Sequence, residues 1–391
     1  MKYFRSNLLW YGVILLAKIY RNSIKIFRIF SFWTFKFWPP KIRNKATRQR
    51  CKQHKNTQYI KLHEPNIINK RLPKTIEKTI HPTLLKYINE QQYEQFVASI
   101  PQGKIIGTYT NITPDYNILW DSTRYLWQNL DSNPSTYKIY IWKSKNIDKN
   151  IALLSSNDTF KNYYHRMIYT LPKFHLFQKS GIAIDVYATD YTARFNKESL
   201  EAIWLKKEQL LITTNNTNIE AKNLILASTP TLFGNLPNRA ITFLKNTFLD
   251  DNEPKKPSKK LYISRITNRK VNNEEEIFSY LKKLWFEKVI LDAMSIKDQA
   301  KLFNDAEIII GPHGAGFTNL VFCQPWTKVI EMFHEKTVRG HYYALSNACD
   351  LDYSYILGDI RKDNKKISMD SDMYIPFKKL EKTLQLAKII I

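Results

Sequence analysis

The 391-residue sequence is poor in cysteine, and that shortage narrows the range of folds it can adopt. Its three cysteines, Cys51, Cys323 and Cys349, are widely separated, which excludes both a disulfide framework and a cysteine-based zinc site. Hydrophobic residues nevertheless make up 43% of the chain and aromatic residues 14%, which excludes a disordered protein. A chain of this length is expected to form two domains with appendages.

Acidic residues are absent from residues 1–63, which contain fifteen Lys or Arg. The formal net charge of +25 is therefore concentrated in a basic N-terminal extension. A basic tail on a moderately basic body does not favour a nucleic-acid groove, so we expect no nucleic-acid partner. Binding of DNA or RNA through the tail alone would depend steeply on salt concentration.

Long apolar runs are absent as well. The longest uncharged apolar run of the N-terminal extension, residues 8–17, has about 10 residues, whereas a membrane-spanning helix needs about 20. Lys and Arg recur between Ile, Phe and Trp after that run, a pattern typical of an interfacial helix on an anionic membrane. Residues 1–50 are therefore predicted to associate the protein with a membrane, peripherally on the cytoplasmic face. A signal anchor that crosses the bilayer, or a basic helix packed on the body, is the alternative.

The residues after the extension separate into two parts joined by a linker. Residues 64–249 have a mixed pattern, with strand-like runs at 104–110, 137–143, 151–156, 182–188 and 223–228 and helical patterns at 160–179 and 197–206. The stretch "DDNEPKKPSKK" (250–260) has two prolines and no apolar residue, which is typical of a linker.

Short apolar strands alternate regularly with helices beyond the linker. The strands are predicted at 260–264, 288–292, 307–311, 328–333 and 352–357, and the helices at 272–285, 295–306 and near 340–348. Ser295 and Asp298 form a capping-box pattern at the start of the second helix. This alternation predicts an α/β fold with a parallel sheet buried on both faces, a Rossmann-like domain over residues 261–365. Residues 366–391 then contain a terminal amphipathic helix over 374–391.

Glycine is scarce, yet three of the ten glycines lie in the stretch "IIIGPHGAGFTN" (308–319). Glycine is needed where φ is positive or where another group approaches the backbone closely. A strand that ends in such a turn and opens into a helix commonly binds an anion, because the first helical N–H groups are unpaired. A tight turn without a ligand is the alternative. The spacing of Gly311, Gly314 and Gly316 matches neither the dinucleotide fingerprint nor the P-loop.

Polar residues at the ends of neighbouring strands are expected to meet this glycine turn. Ligands of open α/β sheets bind at the carboxyl edge of the strands, and two arginines, a histidine and helix amides at that edge suit a diphosphate. Glu331 is predicted to accept hydrogen bonds from a ribose or sugar hydroxyl. Taken singly, each of these residues could instead be a surface arginine, a histidine hydrogen-bonded within the core or a solvated carboxylate. The predicted donor-binding set is Ser264, Arg265, Arg269, His313, Gly314, Ala315, Gly316, Thr318, Asn319 and Glu331.

Several of these stretches together resemble glycosyltransferase family 61. The resemblance is carried by "YISRITNRKVNNEEEIFSYL" and "GPHGAGFTNLVFCQPWTKVIEMF", and further upstream by "NDTFKNYYHRMIYTLPKFHLF" (157–177), which is similar to the family's N-x-x-H segment. "FNKESLEAIWL" and "LILASTP" follow in the family's order, so that the resemblance covers roughly residues 150–360. The chain departs from the family at Trp326, where a small residue is common, and at Arg166, where an aromatic is frequent.

The resemblance implies a GT-B architecture of two facing Rossmann-like domains with an open cleft, residues 64–249 serving the acceptor. It implies transfer of a sugar, with inversion at its anomeric carbon, from a nucleotide-sugar to a glycan or protein-linked acceptor. The nucleotide is expected to be UDP. Family members include xylosyl- and N-acetylglucosaminyltransferases of eukaryotes and bacterial proteins of capsular or surface polysaccharide synthesis. A catalytically silent carbohydrate- or phosphate-binding scaffold of the same fold is the alternative.

An inverting transfer needs a base for the acceptor hydroxyl and a positive site for the leaving diphosphate. We predict His165 as the base, because imidazole titrates near neutrality, with Asp158 next and Asp185 as a weaker candidate. His165 as a core histidine is the alternative. Arg265, Arg269 and the amides of the glycine turn serve the diphosphate, so no metal or other cofactor is required. Asp350 and Asp352 have the spacing of a metal-binding acidic pair, but a capping or solvated role is expected there.

Overall fold

The structure of the chain is a computed structural model. It describes residues 43–54, 56–66, 70–89, 92–122, 144–156, 161–231, 234–249, 256–359, 368 and 370–391. The membrane-binding prediction for residues 1–50 thus lies mostly outside the described residues, as does the strand predicted at 137–143. No helix in the described parts is long and apolar enough to span a membrane.

A mixed eight-stranded sheet forms the core of the N-terminal half. Its path runs β2-β3-β10-β7-β8-β9, with β4 pairing β10 and β5 pairing β4, and the β10-β7-β8-β9 portion is parallel. A separate parallel pair joins β1 and β6. The strands are β1 (Arg43–Lys45), β2 (Gln58–His63), β3 (Gln95–Pro101), β4 (Lys104–Ile106), β5 (Thr110–Ile112), β6 (Asn117–Leu119), β7 (Lys145–Leu153), β8 (Val186–Thr189), β9 (Leu210–Ile212) and β10 (Asn218–Ala227).

Helices cover this sheet, and one of them is irregular. The segment predicted as a single helix over 160–179 contains a π-helical turn, Arg166–Thr170, between two α-helical stretches. Such turns are rare and are frequent at functional sites. The helices of this half are α1 (Thr47–Gln53), α2 (Pro82–Leu85), α3 (Tyr163–His165), α4 (Leu171–Ser180), α5 (Arg194–Ala202) and α6 (Asn238–Phe248).

One predicted strand in this half was wrong. Residues 104–110 were expected to form a single strand, but β4 and β5 pair antiparallel as a hairpin. Gly107 lies in the turn between them with φ of 64°, a conformation that glycine adopts at little cost. The alternating apolar residues of a hairpin and of one longer strand look alike in sequence, and only the glycine marks the reversal.

The C-terminal half confirms the predicted parallel sheet. Its five strands are all parallel in the order β12-β11-β13-β14-β15. Their bounds are β11 (Lys259–Ile263), β12 (Phe286–Val289), β13 (Ala306–Pro312), β14 (Lys328–His334) and β15 (Asp352–Gly358). The helices are α7 (Glu274–Lys283), α8 (Ile296–Asn304), α9 (His341–Ala348) and α10 (Phe377–Leu386).

Both faces of this sheet are buried, as the continuous apolar strands predict. Side chains of α7 and α10 pack on one face, and those of α8 and α9 pack on the other. Local signals fix these helices. Ser295 caps α8 by accepting a hydrogen bond from the backbone N–H of Asp298 at 3.1 Å, and α7 has three Glu in its first turn and two Lys in its last.

The two halves share one hydrophobic core. A single cluster of buried apolar residues extends from β3, β7 and β10 through α3, α4 and α6 to α8, α9 and the C-terminal strands. Polar contacts cross the same boundary: the Tyr163 hydroxyl donates to Asn319 Oδ1 at 2.7 Å, and Lys245 Nζ donates to the carbonyl of Cys323 at 2.7 Å.

A crossover segment, residues 70–89, connects the N-terminal half to the outer strand of the C-terminal sheet. Lys74 forms a parallel bridge with Ser354: its N–H donates to the carbonyl of Tyr353, and its own carbonyl accepts from Tyr355. Lys74 Nζ also lies 2.6 Å from a carboxylate oxygen of Asp352. The predicted boundaries at 63/64 and 249/250 stay predictions, although β2 lies before the first and belongs to the N-terminal sheet.

Candidate functional site

The strand order of the C-terminal sheet creates a crevice at its carboxyl edge. The chain leaves β11 toward β12 on one side and leaves β13 toward β14 on the other, so the connections diverge between the adjacent strands β11 and β13. This divergence is where open α/β sheets bind ligands. Ser264 and Arg265 follow β11, and His313 and Gly314 follow β13. The structure therefore brings the predicted donor residues from two strands to one place.

The glycines of the turn are required for close approach and not for positive φ. Gly314 has an extended backbone, and a Cβ on it would lie 1.8 Å from Arg265 Nη1. A Cβ on Gly311 would lie 2.7 Å from the carbonyl oxygen of Ile263, a backbone atom that cannot move aside. The helix that follows, Ala315–Phe322, is a 3-10 helix, so the expectation of a helix is met in this tighter form.

Two arginines lie beside the turn with little compensation of charge. Arg265 is half-buried and its Nε donates to the carbonyl of Asn268 at 2.8 Å. Burial and the neighbouring charge of Arg269 both lower the pKa of Arg265. Arg269 has its Nη2 3.9 Å from Asp370 Oδ1, and its Nε is buried with no hydrogen-bond partner among the described residues. Two like charges therefore lie close together, with Asp292 and Asp370 as the neighbouring carboxylates, as in a site for an anion.

A small cavity of about 60 Å³ lies between these residues. Ser264, Arg265 and Gly314 line it, together with Asp292 and Phe317. The Ser264 hydroxyl donates to Glu274 Oε1 at 2.7 Å, which orients that side chain from behind. Asp292 was not predicted. It follows β12, so the carboxyl-edge rule that selected Ser264 would also have found it.

Behind the turn lies a buried polar network that the sequence did not predict. His313 Nδ1 is 2.5 Å from Glu331 Oε1, and the Tyr353 hydroxyl donates to Glu331 Oε2 at 2.5 Å. Burial raises the pKa of Glu331 well above its usual range, and burial with the charges of Arg269, Arg339 and Arg265 lowers the pKa of His313. The uncharged forms are therefore favoured. Because Glu331 is fully buried behind His313, any effect of it on a ligand would pass through that histidine.

The 3-10 helix after the turn is fixed to the rest of the protein by Asn319. Its amide donates to Gln299 Oε1 at 2.7 Å and to the carbonyl of Gly316 at 3.1 Å, and its oxygen accepts from Tyr163. Thr318 is likewise fully buried. Asn319 thus holds the turn in place, and direct contact of either residue with a donor stays a prediction.

His165 is linked to the glycine turn through aromatic rings. It is half-buried at the end of α3, directly before the π-helical turn. Its ring lies 5.9 Å from that of Tyr164, and Tyr164 in turn packs 5.5 Å from Tyr342. The Tyr342 ring lies 5.2 Å from that of His313. The structure therefore places the predicted base in the same aromatic cluster as the turn, although the two come from different halves.

The other predicted carboxylates do not join this site. Asp158 lies outside the described residues. Asp185 Oδ2 accepts from the backbone N–H of Asn150 at 2.7 Å, which is a local structural contact. Asp350 and Asp352 pair with Arg71 and Lys74 of the crossover segment. Within the described residues, no group of three His, Cys, Asp or Glu side chains is arranged to hold a metal ion.

The model of the family Glycosyltransferase 61 matches residues 163–330, which include His165, both arginines and the glycine turn and end one residue before Glu331. Residues 163–330 are therefore similar to glycosyltransferase family 61. The departures from the family at Arg166 and Trp326 are structural: Arg166 is buried and donates to Ser199 Oγ at 2.8 Å, and Trp326 has a φ of 68° and packs against Arg71.

Curated relatives of family 61 match the chain over short stretches. A β-1,2-xylosyltransferase of Arabidopsis thaliana is 38% identical over 64 residues, which are 16% of this chain and 12% of the relative. An EGF domain-specific O-linked N-acetylglucosamine transferase of Drosophila melanogaster is 32% identical over 87 residues, or 20% of this chain and 17% of the relative. The matched stretch thus spans less than a fifth of each relative's own length.

Proposed function

We propose that the chain is an inverting glycosyltransferase that moves a sugar from a nucleotide-sugar, with UDP as the nucleotide, to a hydroxyl group of a glycan or protein-linked acceptor. The observation that carries the proposal is the pair Arg265 and Arg269 beside the glycine turn, at the divergence of β11 and β13. The match of residues 163–330 to the model of family 61 and the similarity to sugar transferases support it. We also propose a GT-B arrangement of the two halves, and a role in surface or capsular polysaccharide synthesis as known for bacterial family members.

In the proposed mechanism, each step uses residues already described. The two arginines and the amides of Gly314 to Gly316 bind the diphosphate through charge-assisted hydrogen bonds. His165 removes the proton from the acceptor hydroxyl, and the resulting oxygen attacks the anomeric carbon from the face opposite the diphosphate. The bond from the anomeric carbon to the diphosphate oxygen breaks, and its electron pair stays on the diphosphate. The arginines stabilise that developing charge, a role that elsewhere falls to a metal ion.

The donor site is tested with Arg265→Ala. Loss of a charge-assisted hydrogen bond should weaken binding of UDP by roughly 1.5–3 kcal/mol, measured by calorimetry. Arg48→Ala is the matched control, because Arg48 is exposed and pairs with Glu94, far along the chain from the turn. Unchanged UDP affinity in Arg265→Ala would remove this arginine from the phosphate site.

Turnover separates an enzyme from a silent scaffold of the same fold. The wild-type protein is first screened against nucleotide-sugars by thermal shift, because a ligand at 100 times its Kd stabilises by about 2.7 kcal/mol. The sugar that stabilises most is then incubated with the protein, and release of UDP is measured. Binding without release of UDP or transfer to any acceptor would favour the scaffold.

We further propose that the basic N-terminal residues associate the protein with an anionic membrane surface, peripherally on the cytoplasmic face. Two features of these residues support the proposal: they include no Asp or Glu, and aromatic residues lie between their Lys and Arg. Because β1 begins at Arg43 and β2 belongs to the N-terminal sheet, the truncation that tests this removes residues 1–42 only. The truncated protein should lose affinity for vesicles containing phosphatidylserine while it still binds UDP. Equal sedimentation of both proteins with such vesicles would contradict the proposal.

A further inference from the structure

A second cavity lined by the described residues lies away from the glycine turn. It is a groove of about 1120 Å³ between α4, α5, α6 and the start of α8. None of the predicted donor residues lines it. Ser295–Lys297, at the start of α8, form one wall, and Leu291 and Asp292, a few residues earlier, line the donor cavity. The groove therefore opens beside the donor site but is separate from it.

Four basic side chains meet at one end of this groove. His175 on α4 and Arg239 on α6 line it, with Lys179 and His63 next to them. Lys179 Nζ lies 3.4 Å from His63 Nε2. Burial, then the charges of Arg239, Lys179 and His175, lower the pKa of His63 to about 4, and burial with Lys179 and Arg239 lowers that of His175. The charges that act on the pKa values of these two histidines are all positive, and no acidic group among the described residues contributes to either shift.

Arg239 is positioned as if for an anion. Its Nε donates to Gln95 Oε1 at 2.7 Å, a neutral partner, while its Nη2 is buried with no hydrogen-bond partner among the described residues. It is the second residue of α6, where the helix dipole disfavours a cation and favours an anion. An arginine held there by an amide, with its Nη2 unpaired among the described residues, suits binding of a carboxylate or phosphate.

The acidic residues of the groove lie on other elements and leave this cluster uncompensated. Glu198 on α5 pairs with Arg194 and accepts from the backbone N–H of Ile296 at 2.8 Å. Glu201 also lines the groove, as does Lys297 on the opposite wall. None of the acidic groups is among the causes of the pKa shifts at His63, His175 or Arg239.

Aromatic rings lie next to the basic end. The Phe243 ring is 5.7 Å from that of His175 and 6.5 Å from that of Phe174. Trp204 lines the groove and is 89% exposed. The apolar faces of sugar rings pack on exposed aromatic rings of this kind.

We propose that this groove binds an acidic glycan, with a carboxylate or phosphate group of a sugar held by Arg239 and His175 and the neighbouring sugars packed on Phe243 and Trp204. Its volume suits more than one sugar ring, since pockets for drug-sized ligands measure about 300–1000 Å³. The assignment of this glycan as the acceptor rests on the proposed function. Binding of the acidic glycan by the groove does not.

The proposal is tested by calorimetry on the full chain with three probes. A glucuronate-containing hyaluronan tetrasaccharide carries carboxylates, maltose 6′-phosphate carries a phosphate, and maltotetraose is neutral. At least one acidic probe should bind ten-fold or more tightly than maltotetraose, and its affinity should fall as salt concentration rises. The two acidic probes distinguish a uronate from a phosphorylated sugar. Equal binding of all three probes would overturn the proposal.

Substitutions then locate the binding. Arg239→Gln should weaken the acidic probe ten-fold or more and leave UDP affinity unchanged, whereas Arg265→Ala should do the reverse. Because Arg239 also donates a hydrogen bond to Gln95, a second variant is needed. His175→Gln removes a ring that forms no hydrogen bond among the described residues. Arg48→Gln is the control for loss of a positive charge elsewhere. Unaltered acidic-probe affinity in both folded variants would refute the groove. If the wild-type protein binds the acidic probe but does not bind UDP, the donor site alone is refuted.

Discussion

Lys173 provides a sensitive test of the energetics of this fold. It lies on α4 with its side chain fully buried, and its Nζ donates to the carbonyl of Ser122 at 2.7 Å. Burial lowers the pKa of this amine from 10.5 to about 7. Above pH 7 the folded protein therefore holds a neutral lysine, while the unfolded chain keeps its proton up to about pH 10.5.

The sign of the effect follows from proton binding. Between pH 7 and 10.5 the unfolded state binds more protons, so the free energy of unfolding rises with pH. For a folded pKa of about 7, the gain from pH 7 to pH 9 is about 2 kcal/mol. Lys173→Met removes the titrating group and should remove this gain. Thiols such as Cys323 lose protons toward the upper end of this range in the unfolded chain, but this contribution is common to both proteins and cancels in the difference.

The measurement is urea unfolding of wild type and Lys173→Met at pH 7.0, 8.0 and 9.0, followed by tryptophan fluorescence. The difference in unfolding free energy between the two proteins should change by about 2 kcal/mol in favour of the wild type over this range. Lys301→Met, at an exposed position on α8, is the matched control and should run parallel to the wild type. If Lys173→Met also runs parallel, Lys173 is charged in the folded protein and the reasoning from its burial is wrong.

Three further predictions concern single residues. Gly314→Ala should displace the Arg265 guanidinium, because its Nη1 would lie 1.8 Å from the new Cβ. UDP binding should then weaken by roughly 1.5–3 kcal/mol with little change in melting temperature. Unaltered UDP affinity would contradict this prediction. His165→Ala and His165→Asn should lower kcat about 10² to 10⁴-fold with UDP binding intact, whereas a core histidine would lower the melting temperature and both activities. Trp285→Gly should stabilise by about 1 kcal/mol, because Trp285 follows α7 with a φ of 68° and an exposed side chain. Trp285→Ala should give no such gain in chemical unfolding.

The sequence predicted the C-terminal half well because its signals are local. Continuous apolar strands, the Ser295 cap and the linker-like stretch before Lys259 each depend on neighbours along the chain. The glycine turn was also located, but sequence left two reasons for its glycines, and only the packing of Arg265 and Ile263 decides for close approach. Close approach depends on the distance from the turn to residues elsewhere in the chain, and the sequence of the turn itself does not reveal that distance.

The features that sequence missed depend on contacts between distant residues. Nothing near Tyr353 marks it as a partner of Glu331, and the fork of Arg239 became recognisable only once α4 and α6 were packed together. Lys173 would ordinarily be assigned to a helix surface. Buried polar groups of this kind satisfy no local pattern, because their partners come from elsewhere in the chain.

The crossover segment has a consequence for how the protein can move. Residues 70–89 reach the outer strand β15 and hold it through two backbone hydrogen bonds and through His81, whose N–H donates to the Tyr355 hydroxyl at 2.9 Å. A wide hinge motion between the halves would have to break these bonds and separate the shared core at the same time. In the proposed function, substrate entry and product release are then left to the short loops around Arg265 and Gly314, so the rate of exchange should depend on loop motion on a faster timescale than that of domain rotation.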